Sequence, residues 1–284
     1  MGDVFTSIFW LFIIWAFLWP QIRHQVLIGN RKSLIRKLEN TRNSRVILMV
    51  HRQEQIGMFG IPFVRFINIE DSEAILRAIR VTPPDIPIDL IIHTPGGLAL
   101  ASVQIAFALK DHPAKTTVIV PHYAMSGGTL IALAADEILM DSHAVLGPVD
   151  PQIIIQDVGP APAASILKAW EEKGKEASDN LIIQADIAKK AIKQMEEIIY
   201  KLLTGRYSEK KAKELAEIFS KGEWTHDYPI TYEKAKELGL HVKSEIPEEV
   251  YELMELYPQA RPQRPTVEYI SRPPEKISQR GFKQ

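Results

Sequence analysis

The sequence predicts an α/β protein built on a parallel sheet, and two observations lead to this fold class. Residues 45–51, 88–93 and 116–120 are short apolar segments that are typical of buried strands. Residues 70–81 and 98–109 lie between these segments and have the apolar spacing or composition of helices. Strands and helices that alternate at this distance form βαβ units, whose crossovers are right-handed.

The composition excludes several classes of function. The chain has 284 residues, 46% of them hydrophobic, so it can bury a sizeable core. A formal net charge of −1 gives no reason to expect nucleic acid as a partner. The chain has no cysteine, which excludes disulfides, zinc thiolates and a thiol nucleophile.

An uncharged segment rich in Phe and Trp occupies residues 4–19, and Pro20 is expected to close it. Its length is just below the usual range of about 17–25 residues for a spanning helix, and its terminal tryptophans suit a membrane interface. The acidic start of the chain and the bulky end of the segment do not resemble a cleaved signal peptide. We therefore predict a single-pass membrane anchor over residues 1–22; an interfacial or buried segment is the alternative.

Basic residues follow this segment, and none precedes it: Arg23, Arg31, Lys32, Arg36 and Lys37. The positive-inside rule then places the rest of the chain on the cytoplasmic side. We predict that residues 23–44 form a basic juxtamembrane linker or helix. The same stretch can lie along anionic lipid headgroups or be a solvated linker.

Ser126 stands between the third predicted strand and an entirely apolar helix, and two glycines follow it directly. The glycines permit an unusual turn and close approach of another backbone. At the N-terminus of a buried helix, Ser126 would meet free N–H groups and a dipole that favour developing negative charge. This placement suits an acyl-transfer nucleophile, although an ordinary serine N-cap would give the same pattern.

A second Gly-Gly turn, containing Gly96 and Gly97, follows the preceding strand. Functional loops lie at the carboxyl ends of parallel strands, so the two turns can face each other. One backbone N–H group from each turn would then form an oxyanion hole. A plain tight turn is the alternative interpretation.

The rest of the chain is predicted to complete one domain over residues 45–257. Helical patterns cover residues 165–172, 180–204, 208–219, 231–238 and 245–257. The tail, residues 258–284, is rich in Pro and Arg, and we expect it to be disordered. The sequence has no dinucleotide or phosphate-loop motif and no His-Glu-x-x-His, so we expect neither a cofactor nor a metal.

Four ordered blocks resemble the Clp-protease/crotonase superfamily, and most closely its SDH-type (serine dehydrogenase proteinase) membrane serine proteinases, which are related to signal peptide peptidase A. The blocks span most of residues 45–243, and the N-terminal anchor is similar to that of the same family. They are residues 93–97 (HTPGG), 124–128 (AMSGG), 146–152 (LGPVDPQ) and 224–231 (WTHDYPIT) with 235–240 (AKELGL).

The resemblance implies a βαβ-spiral fold with Ser126 as nucleophile. It also implies an oxyanion hole made by the N–H groups of Gly127 and of Gly97 or Gly96. The Clp proteolytic subunit has its triad histidine in the loop that corresponds to residues 147–151 here, and that loop contains no histidine. Related membrane proteases use a lysine as the base, and Lys168 follows Ser126 by 168 − 126 = 42 residues.

Each candidate base has a structural alternative. Lys168 can act as a base only if burial lowers its pKa, and otherwise it is a surface lysine beside Glu171. Asp227 corresponds to the aspartate of the Clp-type triad, and His226 precedes it. Asp227 could orient His226 or Lys168, or both residues could only stabilise the turn at residues 225–231.

Together these features predict a membrane-anchored serine endopeptidase that uses a Ser-Lys or, second, a Ser-His-Asp mechanism. The expected partners are protein or peptide substrates with hydrophobic or membrane-associated character, the lipid bilayer, and further copies of the chain in a homo-oligomer. An inactive membrane scaffold of the same fold and a crotonase-like acyl-CoA enzyme are the alternatives. The scaffold hypothesis predicts a solvent-exposed Lys168 far from Ser126.

Overall fold

The computed structural model of the chain describes residues 2–51, 65–155 and 158–257, so the tail at residues 258–284 lies outside the described residues. The helices are α1 (Gly2–Arg42), α2 (Ile69–Val81), α3 (Ala99–Lys110), α4 (Gly127–Leu133), α5 (Ala163–Lys173), α6 (Asp179–Leu203), α7 (Glu209–Ser220), α8 (Tyr232–Glu237) and α9 (Glu248–Glu255). The strands are β1 (Arg45–Val50), β2 (Ile88–His93), β3 (Thr116–Val120), β4 (Tyr123–Ala124), β5 (Glu137–Met140), β6 (Val145–Leu146), β7 (Gln152–Ile155), β8 (Gly159–Pro162), β9 (Ile230–Thr231) and β10 (Val242–Lys243).

The central sheet has the order β1-β2-β3-β5-β10, and every neighbouring pair in it is parallel. This confirms the α/β fold with a parallel sheet. Strand β2 is buried along its whole length, as expected for a central strand of a sheet covered on both faces. Alternate side chains of β2 therefore point into two separate apolar layers.

The larger layer contains Ile88, Leu90 and Ile92 of β2, and it packs against α2, α3, α4, α6 and α7. The smaller layer, on the opposite face, contains Ile91 with Leu38 of α1 and Leu253 of α9. A three-stranded sheet, β4-β6-β9, adjoins the central sheet through the bridge between Thr94 and Ala124. The carboxyl ends of β2 and β3 thus open onto one side of the molecule.

The first helix differs from the expectation that Pro20 closes the apolar segment. Helix α1 runs without interruption from Gly2 to Arg42, past Pro20. A proline inside a helix removes one backbone hydrogen bond, and the long helical segments on both sides of Pro20 tolerate that loss. The basic half of the helix is docked on the domain, where Arg31 donates to the Leu256 carbonyl and Lys37 pairs with Glu249.

The membrane anchor predicted over residues 1–22 falls in the N-terminal half of α1. Among the described residues, no helix is both long enough and apolar enough to cross a membrane. Several side chains within residues 4–19 are outside the described part of the chain. The anchor over residues 1–22 therefore stays a prediction.

Helix ends follow the sequence signals in most places. Ser208 and Thr231 cap α7 and α8 through hydrogen bonds to backbone N–H groups. Asn68 caps α2, because Asn68 and Asp71 form a reciprocal capping box. The β7-β8 hairpin, which follows the Pro- and Gly-rich loop at residues 146–152, was not expected from the sequence.

Candidate active site

Ser126 has a strained backbone. Its φ of 49° and ψ of −114° lie outside the left-handed helical region that a non-glycine residue can occupy at modest cost. Such a conformation costs about 1–3 kcal/mol and persists only where the surrounding structure enforces it. A serine held on a sharp turn between a strand and a helix has its hydroxyl exposed, as nucleophilic serines require.

A cavity of about 1310 Å³ lies beside Ser126. Both apolar and polar side chains line it. The larger apolar lining residues include Leu98, Leu100, Val103, Leu130, Val149, Ile154, Met195 and Ile198. A cleft of this size is suited to an extended peptide or another elongated ligand.

The two Gly-Gly turns face each other, as the sequence predicts. A Cβ atom on Gly96 would lie 2.9 Å from Ser126 Cβ and 3.3 Å from the Gly127 nitrogen. A Cβ atom on Gly97 would lie 2.3 Å from the Ile67 backbone, and one on Gly127 would lie 2.2 Å from Ser102 Oγ. Glycine is therefore required at all three positions by the close approach of neighbouring atoms.

Hydrogen bonding distinguishes the two glycines of the first turn. The Gly96 N–H donates to Thr94 Oγ1 at 3.2 Å. The N–H groups of Gly97 and Gly127 donate to no acceptor within the described parts of the chain. Of the two glycines that the resemblance allows, Gly97 is thus the one with an N–H available to a substrate oxygen.

The Thr94 hydroxyl is itself held by a buried histidine. His51 Nδ1 lies 2.8 Å from Thr94 Oγ1, and His51 Nε2 lies 3.3 Å from Asp71 Oδ2. Burial lowers the pKa of His51, and the nearby Asp71 carboxylate offsets this only in part. This arrangement connects the Gly96 N–H, through Thr94, to the N-terminal turn of α2.

A second histidine lines the same cavity. His226 Nδ1 lies 2.7 Å from Asp150 Oδ1, although 76 residues separate the two in the chain. The Asp150 side chain is 2% exposed, and its other oxygen accepts a hydrogen bond of 2.6 Å from Gln152 Nε2. The structure therefore contains a buried carboxylate bonded to a partly exposed imidazole on the wall that also carries Ser126.

The site residues proposed from the sequence fall into two groups. Ser126, Gly97, Gly127 and His226 line the cavity, and Gly96 lies directly behind Ser126. Lys168 is exposed on α5, and Asp227 is exposed beside His226. Neither Lys168 nor Asp227 is among the residues that line the cavity.

Sequence reasoning missed the roles of Asp150, His51 and Asp71. The sequence does not identify Asp150 as a site residue, because its partner His226 comes from a distant loop. Its position in a rigid loop between Pro148 and Pro151 was the available signal. Within the described residues, no cluster of three or more His, Asp or Glu side chains is arranged to hold a metal ion.

Comparison with known proteins places the chain in a family. Two uncharacterized proteins of Methanocaldococcus jannaschii are similar to it: one is 59% identical over 276 residues, covering 96% of this chain and 93% of the relative. The other is 60% identical over 273 residues, covering 96% and 94%.

Two solved structures are also similar. A mutant of the 1510-N membrane-bound stomatin-specific protease is 20% identical, with a TM-score of 0.45, covering 67% of this chain and 79% of that one. ClpP1 from Listeria monocytogenes is 17% identical, with a TM-score of 0.45, covering 75% and 97%. The model of the ClpP-like SDH-type serine proteinases matches residues 1–283, so this chain belongs to that family of serine-type peptidases.

Proposed function

We propose that this protein is a membrane-anchored serine endopeptidase in which Ser126 is the nucleophile. The strained backbone of Ser126, on the wall of a large cleft, is the observation that carries this proposal. Strain of this kind is retained where it serves a function, since an unstrained serine cap would be more stable. Ser126 is partly exposed and lines the cleft, where its hydroxyl would meet a substrate carbonyl.

Gly97 and Gly127 are the proposed oxyanion donors. Their N–H groups are on the two turns that meet at Ser126, and neither donates to another described residue. Preorganised donors stabilise the charge that develops on the carbonyl oxygen during attack, typically by about 10²–10³-fold in rate for each donor. Gly127 is also the first residue of α4, so the helix dipole adds to the stabilisation.

The proposed substrates are polypeptides with apolar segments. The cleft wall is formed by aliphatic and thioether side chains from α3, α4 and α6, and it buries apolar surface of a bound peptide. Attachment to a membrane would bring the cleft close to hydrophobic protein segments. Exposed aromatic and aliphatic residues in the N-terminal half of α1 support that attachment: Phe9, Trp10, Phe12, Trp15, Leu18 and Trp19.

A homo-oligomer is part of the proposal. The first half of α6 exposes Ile182, Ile183 and Ile187, although they would be more stable if covered. The hairpin tip beside α5 also exposes Ile154 and Val158. A second copy of the chain packed on these side chains would remove apolar surface from water.

The general base has two candidates. Lys168 is the base that the resemblance implies, and a Ser-Lys mechanism requires its ammonium to lose a proton near operating pH. In the single chain Lys168 is exposed, and exposure does not provide the desolvation that this mechanism needs. His226 is the second candidate, since it lines the same cavity as Ser126 and its Nδ1 lies 2.7 Å from the buried carboxylate of Asp150, which would orient the ring.

The proposal is tested with the full chain purified in detergent. Wild-type protein is expected to cleave casein and a hydrophobic peptide, and Ser126→Ala is expected to lose at least about 10³-fold in kcat. Ser142→Ala, which changes an exposed serine outside the cleft, is the matched control. Full proteolysis by Ser126→Ala would contradict the proposal.

Two other outcomes identify the alternatives. A folded wild-type protein that cleaves no peptide but binds partners would support the inactive scaffold, which the exposed Lys168 favours. Hydrolysis of acyl-CoA thioesters that survives Ser126→Ala would support the crotonase-like enzyme, because that chemistry needs the oxyanion hole and no serine nucleophile.

A further inference from the structure

We propose that His51 and Thr94 position the Gly97 N–H, the oxyanion donor of the first glycine turn. The inference rests on the proposed function, since it assumes that an oxyanion forms when Ser126 attacks. Both residues are positioning residues, because they act through the backbone of the turn. The observation that leads to the inference is a series of hydrogen-bonded groups behind the turn, which joins His51, Thr94 and the Gly96 N–H.

The peptide group between Gly96 and Gly97 carries the donor, and glycine on both sides gives it wide conformational freedom. The Ile67 N–H donates to the Gly96 carbonyl at 2.7 Å. Because the C=O and N–H of a trans peptide point in opposite directions, this bond aims the Gly97 N–H away from Ile67. A single hydrogen bond still permits rotation about its own axis. The bond from the Gly96 N–H to Thr94 Oγ1, at 3.2 Å, restrains that rotation from the other end of the residue.

Thr94 is a fixed point for this second bond. The residue is fully buried, its N–H donates to the Tyr123 carbonyl at 3.2 Å, and its carbonyl accepts from the Met125 N–H at 3.0 Å. Its methyl group lies 2.6 Å from the position of a Cβ atom on Gly128. Thr94 therefore contacts the second glycine turn through its backbone and methyl group, and it holds the first turn through its hydroxyl.

His51 sets the direction of the Thr94 hydroxyl. An ionised Asp71 only accepts, so the ring proton of His51 is on Nε2, which lies 3.3 Å from Asp71 Oδ2, and Nδ1 has a lone pair. Thr94 Oγ1 is 2.8 Å from Nδ1, so the hydroxyl donates there and accepts from the Gly96 N–H. The other acceptor within reach, the Gly96 carbonyl, is 3.4 Å away and is already bonded to Ile67. Burial lowers the pKa of His51, which keeps the ring neutral and Nδ1 able to accept.

The series ends at the N-terminus of α2. Asp71 Oδ2 also accepts from the Asn68 N–H, and the Asp71 N–H donates to Asn68 Oδ1, both at 2.9 Å. Asn68 directly follows Ile67, which holds the Gly96 carbonyl. Both restraints on the donor peptide thus lead back to residues 67–71, one through the backbone and the other through side chains. An oxyanion donor stabilises charge most effectively when it is held in place in this way before substrate binds.

A purely structural role would also explain these contacts, because buried polar groups are hydrogen-bonded wherever they occur. The two roles differ in what a substitution changes. In a structural role, loss of the hydroxyl lowers the free energy of unfolding and leaves the chemical step alone. In a positioning role, it weakens the stabilisation of the oxyanion and lowers kcat.

The test compares Thr94→Val, Thr94→Ser, His51→Phe and His51→Asn in the full chain purified in detergent. Valine keeps the shape of threonine without the hydroxyl, and phenylalanine keeps a ring without nitrogen. Serine keeps the hydroxyl, and asparagine keeps an acceptor near the position of Nδ1. We expect Thr94→Val and His51→Phe to lose about 10- to 100-fold in kcat, with KM changed less than about threefold. Thr94→Ser and His51→Asn should retain most of the wild-type kcat.

Thr82→Val and His112→Phe are the matched controls. The Thr82 hydroxyl is part-buried and donates to the Ala78 carbonyl, His112 Nε2 lies 2.8 Å from the Ile86 carbonyl, and both residues are outside the cleft. Both controls should keep the wild-type kcat even where denaturant unfolding shows a loss of stability. Thr94→Val and His51→Phe that lose stability but keep the wild-type kcat would have a structural role only, and the inference would be overturned.

Inhibition by a peptide boronate tests the donor itself. Boron bonds to the serine Oγ, and one oxygen of the tetrahedral adduct occupies the oxyanion position. The affinity for the boronate should fall in parallel with kcat in Thr94→Val and His51→Phe and stay at the wild-type value in the two controls. A loss of kcat with unchanged boronate affinity would overturn the inference, because the substitutions would then act on another part of the site.

Hydrogen exchange provides a measurement that does not depend on cleavage. The amides of residues 94–98 should exchange faster in Thr94→Val, which lacks the acceptor of the Gly96 N–H, and in His51→Phe, which no longer orients it. Wild-type exchange in both variants would overturn the inference. If Ser126→Ala cleaves like wild type, the proposed function itself has failed. If Ser126→Ala is inactive while Thr94→Val and His51→Phe keep the wild-type kcat, only the positioning role has failed.

Discussion

The two halves of the candidate site are assembled in different ways. Ser126 and the two glycine turns lie at the ends of neighbouring parallel strands, within 30 or so residues of each other in the chain, and backbone hydrogen bonds hold them together. Asp150 and His226 are 76 residues apart, and a side-chain hydrogen bond joins them next to the backbone pairing of β6 with β9. The first half is a local consequence of the βαβ units, and the second depends on tertiary packing.

This difference has consequences for energy and for function. The strand-end half, formed by Ser126 and the two glycine turns, is closely packed. Even one added side-chain carbon there should displace backbone atoms and affect both stability and catalysis. In the loop half, formed by Asp150 and His226, one side-chain hydrogen bond joins the two residues beside the backbone pairing of β6 with β9. Removing that hydrogen bond should therefore have little effect on folding. The predictions below concern the strand-end half and the sheet that carries it, in decreasing order of expected effect.

Gly97→Ala should have the largest effect. The new Cβ would lie 2.3 Å from the Ile67 nitrogen and oxygen, so the turn must move and its N–H would no longer face the oxyanion position. We expect peptide hydrolysis to fall by about 10²–10³-fold, the usual loss for one oxyanion donor. Gly205→Ala is the control, because Gly205 also has a positive φ (90°) but has no atom within 4 Å of the added Cβ. Equal activity in the two variants would contradict the close packing of the site.

Arg42→Ala should destabilise the sheet that carries the site. Arg42 donates two hydrogen bonds to Asp89 of β2, at 2.5 and 2.9 Å, and Asp89 is buried. Removing the arginine leaves a buried carboxylate that, among the residues the structure describes, keeps Ser44 as its side-chain donor. We expect a loss of about 3 kcal/mol in the free energy of unfolding, at the low end for a broken buried pair because Arg42 is partly exposed.

Denaturant unfolding monitored by circular dichroism measures that loss. Arg45→Ala removes an exposed ion pair with Glu39 and is the matched control, with an expected change below about 1 kcal/mol. A similar cost for both substitutions would show that the buried pair has no special role in holding α1 to the sheet.

Ser126→Gly should be more stable than Ser126→Ala. Both substitutions remove the hydroxyl, but only glycine adopts a φ of 49° and a ψ of −114° without strain. We expect a difference of about 1 kcal/mol in the free energy of unfolding in favour of glycine. Thermal unfolding of the two inactive variants, measured side by side, checks this value. An alanine variant as stable as the glycine variant would indicate that the backbone at residue 126 is relaxed.

The pH dependence of stability should show a smaller effect at His51. Its pKa is lowered from 6.5 by burial, so the unfolded chain binds a proton at a higher pH than the folded protein does. The stability contributed by the neutral ring is complete above pH 6.5 and is lost as the pH falls below it. The melting temperature should therefore drop between pH 7.5 and 5.5, and the drop should be smaller in His51→Gln. An unchanged slope in that variant would assign the pH dependence to other groups.

The sequence was sufficient to predict the strand-end half of the site. Val118 and the residues around it read as a buried strand, and the motif around Ser126 followed it directly, so the position of the serine at a helix N-terminus was predictable. The opposition of Gly96 to Ser126 followed from the rule that functional loops meet at the carboxyl ends of parallel strands. What the sequence could not predict there was the hydrogen bond from Gly96 to Thr94, which leaves Gly97 as the available donor.

The loop half was not predictable from spacing. In the Clp proteolytic subunit, the loop that corresponds to residues 147–151 carries the triad histidine. In this chain that loop contains an aspartate, Asp150, and no histidine. The histidine that pairs with Asp150 is His226, in the turn at residues 225–231, where Asp227 was the expected site residue. Compared with the arrangement that the resemblance implies, the histidine and the aspartate have exchanged loops. Asp227, the aspartate of that turn, is exposed, and His226 pairs with Asp150. The antiparallel pairing of β6 with β9, together with the hydrogen bond from the Val149 N–H to the Phe219 carbonyl, brings these residues together.

Covalent labelling of the wild-type protein tests the central claim most directly. A fluorophosphonate reacts with an activated serine, and mass spectrometry of the digested protein identifies the modified residue. The account predicts a single adduct, on the peptide that contains Ser126. A folded protein that forms no adduct, or one modified only at another serine, would contradict the assignment of Ser126 as the nucleophile.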